Sequence, residues 1–165
     1  MSKSFEYPID IDQAYYAAIG QVTARWAWLE HRLSILIREG FRLDKAAGRA
    51  LTSGMEAAAL LRTLQVLVKG SWIDDQTVLK AVEEFGNEIE RRRKRRNALA
   101  HGVYGPETKK PGKMYRVLMR SADDILSPDG DPISVRDLQT LASELRVLQE
   151  RGLMITTQLK QVQRK

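Results

Sequence analysis

The chain has 165 residues, 43% of them hydrophobic and 29% charged, which suits one globular domain and is too apolar for a disordered segment. It has no cysteine, which excludes disulfide scaffolds, thiolate zinc sites, iron–sulfur clusters and cysteine nucleophiles. Lys and Arg number 27 against 21 Asp and Glu, and six of the positives form one run, Arg91-Arg92-Arg93-Lys94-Arg95-Arg96, so the whole excess of +6 sits in one place.

Residues 1–12 read as an extended leader, with Pro8 and the alternation Ile9, Asp10, Ile11, Asp12 opposing a helix. The opening residues carry no apolar core of a secretory signal. No apolar run approaches the ~20 residues that cross a bilayer, so a cytoplasmic chain without a membrane span is expected.

Asp12 is a candidate N-cap for a long first helix. From Gln13 to about Arg42, apolar residues recur at steps of three and four: Tyr15, Ile19, Val22, Trp26, Leu29, Leu33, Leu36, Ile37. The helix is expected to end near Gly40. Residues 43–53 read as a connection. A second helix over 54–69 follows, with Leu60, Leu61, Leu64, Leu67 and Val68 as its apolar face and Gly70 as its stop.

A third helix begins near Asp74 or Asp75. Its seam, Val78, Val82, Phe85, Ile89, continues at helical spacing through Arg92, Arg96, Leu99 and Val103. The basic run is therefore part of a core helix, not a tail. Six consecutive positives cover every side of a helix, so at least one must face the core or a partner, where it needs a counter-charge. Glu30, one turn after Trp26, is the candidate, paired with Arg92 or Arg96 to fix its orientation.

Gly102, Gly105 and Pro106 end the helix. Residues 114–120 read as a short strand, paired either with residues near 103–107 or with another protomer. Pro128, Gly130 and Pro132 mark a loop, and Ser134 caps a final helix to about Gln161 with a stripe of Leu138, Leu141, Leu145, Leu148, Ile155 and Leu159. The fold class expected is all-α: a four-helix-type bundle with a short β excursion before the last helix. No repeat or linker divides the chain, so 1–165 is read as one domain.

The sharpest local signal is Arg96-Asn97-Ala98-Leu99-Ala100-His101-Gly102. It resembles the signature of the HEPN superfamily: an arginine, a polar residue directly after it, and a histidine a few residues on, near the end of a late helix in an all-α bundle. The resemblance implies a metal-independent endoribonuclease, with Arg96, Asn97 and His101 as its catalytic residues. It also implies two protomers packed about a two-fold axis so that paired motifs share one cleft. Toxin–antitoxin and phage-defence settings belong to that resemblance, with an antitoxin or other regulatory protein as a partner.

The chemistry has its own logic. RNA is cut when its 2′-OH attacks the adjacent phosphate, which requires a proton to move near neutral pH. Histidine, with an ordinary pKa of ~6.5, suits that task. A guanidinium stabilises the extra negative charge of the transition state. Asn97 orients the histidine or the phosphate, and Arg92, Arg93, Arg95 and Tyr104 are the candidate RNA contacts. Plainer roles exist: His101 as a helix C-terminal cap, the run as a solvated face, His31 as an ordinary surface residue, and Trp26 and Trp28 as core or interface packing. With two histidines and no carboxylate cluster of recognisable spacing, no metal or other cofactor is expected. The alternative within the same resemblance is a non-catalytic module that binds nucleic acid or protein.

Overall fold

Asp12 accepts a hydrogen bond from the Ala14 N–H at 2.9 Å and starts α1, Gln13–Gly40. The computed structural model describes residues 12–70, 73–100, 102–106, 114–118 and 131–162. The leader over 1–11 and His101 lie outside these residues. The apolar stripe of α1 is buried along its whole length, from Tyr15 through Trp26 to Ile37.

The stretch expected as a connection forms a helix, α2, Lys45–Thr52. Asp44 caps it, accepting from Ala46 and Ala47 N–H at 2.8 and 3.1 Å. Its buried residues are Gly48 and Thr52, which form no apolar stripe, so periodicity does not reveal it. A Cβ on Gly48 would lie 2.7 Å from Arg38 Cγ, so glycine lets α2 sit directly on α1. The second expected helix is α3, Ala57–Lys69, starting three residues later than the sequence suggested. Gly54, with φ at 71°, turns the chain between α2 and α3 in a conformation glycine adopts freely.

Asp75 caps the next helix by accepting from Thr77 and Val78 N–H at 3.0 and 3.2 Å. That helix, α4, spans Gln76–Ala100 and carries the whole basic run. The apolar seam does not continue helically to Val103. Gly102 instead opens β1, Gly102–Pro106, which pairs antiparallel with β2, Met114–Leu118. A third strand, β3, Asp131–Ile133, pairs antiparallel with β2 and occupies a stretch expected as loop. The order is β1-β2-β3, and both prolines of the sheet, Pro106 and Pro132, lie on edge strands, where a missing N–H is tolerated.

β3 runs straight into the cap of α5, Val135–Val162. Ser134 Oγ accepts from Asp137 N–H at 3.1 Å, and Asp137 Oδ2 accepts from Ser134 N–H at 3.0 Å and from its hydroxyl at 2.6 Å. This reciprocal arrangement satisfies donors that the first turn would otherwise leave orphaned.

Helices α1 and α5 lie parallel. Tyr15 donates its hydroxyl to Ile133 O at 3.1 Å at one end, and Gly40 meets Leu159 at the other. Helix α4 runs against α5, joined by Arg151 to Glu84 and Glu88 and by Arg95 to Glu144. One continuous core of buried side chains links α1, α3, α4 and α5, with Phe85, Leu29, Leu33, Leu60 and Leu145 fully enclosed. Among the described residues no helix is long and apolar enough to cross a membrane.

Candidate functional site

The site is built on the second half of α4, where it faces α1 and the start of α3. Trp26 is 2% exposed and points inward from α1. A buried indole N–H needs an acceptor, and Glu30, one turn on, supplies it at 2.9 Å. The same oxygen, Glu30 Oε1, accepts from Ala57 N–H at 3.0 Å. Glu56, at the N-cap position of α3, makes no side-chain cap. A carboxylate from α1 thus does the capping, and this is why α3 begins at Ala57.

Glu30 was expected to pair with Arg92 or Arg96. It pairs with neither; its oxygen is taken by the indole and by the helix start. The guanidinium of Arg96 lies over the Trp26 ring, 5.7 Å from its centroid, and donates to Asn97 Oδ1 at 3.2 Å. The link from Glu30 to Arg96 therefore passes through Trp26: the carboxylate fixes the indole and the indole carries the cation. Trp26, Glu30, Glu56, Ala57, Ala58, Arg93, Arg96 and Asn97 line a cleft of about 120 Å³.

The remaining arginines divide. Arg93 lines the cleft but is held by Glu90 through two 2.7 Å bonds, Nε to Oε2 and Nη2 to Oε1. This fork–fork pair pushes the Glu90 carboxyl below its ordinary pKa and raises that of Arg93, hydrogen bonding being the main cause for both. Arg92 and Arg95 turn towards α5. Arg95 Nη1 donates to Glu144 Oε2 at 2.9 Å. Arg92 Nε lies 3.4 Å from the same oxygen but is buried without an aligned acceptor, while its Nη1 donates to Glu88 O at 3.5 Å. Arg91 and Lys94 are exposed.

Arg96, Asn97, Arg93 and Glu30 thus meet at one cleft, while Arg92 and Arg95 do not reach it. His101 and the side chain of Tyr104 lie outside the described residues, although the Tyr104 backbone belongs to β1. No family model matches the chain, and no curated protein or solved structure matches it.

Sequence reasoning missed Glu56, Ala57 and Ala58. An alanine pair carries no chemical signal, and a helix start becomes a site only when another helix brings charge to it. Trp28 is 59% exposed and meets the exposed His31 edge to face at 5.8 Å between centroids. A larger cavity of about 680 Å³ lies between α3 and the first half of α4, with Leu61, Leu64, Val68, Leu79 and Val82 among its lining residues. It includes none of the Arg–Asn motif. Among the described residues, no group of three or more His, Asp or Glu side chains is arranged to hold a metal ion.

Proposed function

We propose that the protein is a metal-independent endoribonuclease of HEPN type that works as a dimer in the cytoplasm. One observation carries the reading: Arg96 is held on Trp26 and joined to Asn97 in the last turns of α4, with His101 four residues after Asn97 in the sequence. A guanidinium held in place needs little reorganisation when a phosphate arrives, which favours stabilising the charge that builds up in the transition state.

In this reading the ribose 2′-oxygen attacks the adjacent phosphorus and the bond to the 5′-oxygen breaks. His101 accepts or donates the proton, Arg96 binds the non-bridging phosphate oxygens, and Asn97 holds the arginine by its side-chain oxygen. Products carry a 2′,3′-cyclic phosphate and a 5′-hydroxyl. Two protomers bring two motifs and two basic runs to one cleft, which concentrates RNA electrostatically. An antitoxin or similar regulatory protein would act by covering that cleft.

The test is cleavage of RNA by wild type and by His101→Ala, both with chelator present. Wild type cuts and the variant does not, with melting temperature and RNA affinity largely retained. Equal cutting by both would sink the assignment. RNA binding by a folded wild type that never cuts would favour the non-catalytic module.

A further inference from the structure

We infer that the cleft between α1, α3 and α4 is a guanine-base pocket, in which Glu30 and Glu56 accept the N1–H and N2–H2 of the base and the start of α3 with Arg93 donates to its O6 and N7.

This rests on the RNA reading above and names what that site selects. The cleft, at about 120 Å³, is far below the ~300–1,000 Å³ of pockets that enclose a drug-sized ligand. It takes one group, a base or a phosphate. The wall decides between them. Two carboxylates, Glu30 and Glu56, line it, and the charge of Arg93 is already matched by Glu90. A phosphate there would meet two negative groups with only Arg96 unmatched by a carboxylate among the described lining residues. The cleft suits instead a neutral group that offers hydrogen-bond donors to the carboxylates and acceptors to N–H groups.

Donors for those acceptors are present. Arg93 Nη1 is not used in the pair with Glu90, which engages Nε and Nη2. Ala58, at the second position of α3, has an N–H without an intrahelical acceptor, at the positive end of the helix dipole. Glu30 Oε1 is committed to Trp26 and Ala57, which leaves Oε2 for a ligand.

Among the four bases of RNA, guanine alone sets two adjacent donors beside O6 and N7 acceptors. Adenine and cytosine would turn a ring-nitrogen lone pair towards a carboxylate, and uracil offers one donor. The neighbouring phosphate is left to Arg96, the lining cation that no carboxylate holds among the described residues.

The test uses wild-type protein and four 2′-O-methyl RNA hexamers, identical except for G, A, C or U at one central position. They lack the attacking hydroxyl, so binding is read apart from cleavage. The G hexamer should bind at least about tenfold more tightly than the others. Glu56→Gln should bring the four affinities to within about twofold. Glu30→Gln should do the same, keeping one oxygen for Trp26 and Ala57, and both variants should melt near wild type. Equal wild-type affinity for all four hexamers overturns the pocket while leaving the nuclease reading to its own assay. Displacement by 5′-GMP at concentrations matching the G hexamer would assign the cleft to a free nucleotide and overturn its role in RNA. A G preference that survives both substitutions overturns the assignment of the carboxylates.

Discussion

Glu30 serves two elements with one oxygen. It satisfies a buried indole in α1 and the first N–H of α3. Glu30→Ala leaves both donors unpaired, and each buried unsatisfied donor costs about 1–3 kcal/mol. Urea denaturation should show a loss of stability in that range or above, and a loss under about 0.5 kcal/mol would mean that water replaces the carboxylate. Arg96→Ala should do less to stability, removing a cation–π contact of about 0.5–2 kcal/mol, and should abolish RNA cleavage. At this scale the sequence was partly legible. Arg96, Asn97, Trp26 and Glu30 stood out by type and spacing, but the partner of Glu30 is a backbone N–H of alanine, which no residue type announces. No ion pair with Arg92 or Arg96 forms, because a buried indole and an otherwise uncapped helix start take the same carboxylate oxygen.

Among the elements, α5 owes its start to a cap that can be titrated. The Ser134 hydroxyl and backbone N–H hold the Asp137 carboxyl below its ordinary pKa of 3.8, with the hydroxyl as the main cause. A carboxyl lowered on folding adds stability that is present above its unfolded pKa and is lost as pH falls through the folded one. Melting temperature should therefore drop more steeply below about pH 4 in wild type than in Asp137→Asn. Ser134→Ala should cost about 1 kcal/mol at neutral pH, measured by denaturant titration. The long helices were readable because each buries a full stripe of large side chains. Helix α2 was not, since it buries Gly48 and Thr52 and packs through the absence of a side chain. Helix α4 stops at Ala100, next to the glycine expected to end it, but Val103, which continues the seam numerically, lies in the strand β1.

For the molecule as a whole, charge is distributed less freely than a six-residue run suggests. Glu144 ties Arg92 and Arg95 to α5, so the basic surface is partly matched from within. Glu144→Gln should release both. If they contact RNA phosphates, the dependence of log affinity on log salt should steepen by about 0.7 for each arginine gained. An unchanged slope would remove Arg92 and Arg95 from the RNA contacts. The paired-motif reading further expects a particle of twice 18.8 kDa by sedimentation at the concentrations where cleavage is measured. A monomer that cuts RNA would refute the two-protomer cleft.

The parallel seating of α1 beside α5 has a consequence for how the chain is made. Helix α1 is made before α5, yet it finds its most extensive partner there among the described elements. Until α5 emerges, the stripe from Tyr15 to Ile37 lacks the surface that covers it, and contacts of such long sequence separation form late and slowly. A nascent chain halted before residue 135 should therefore stay protease-sensitive and bound to chaperones.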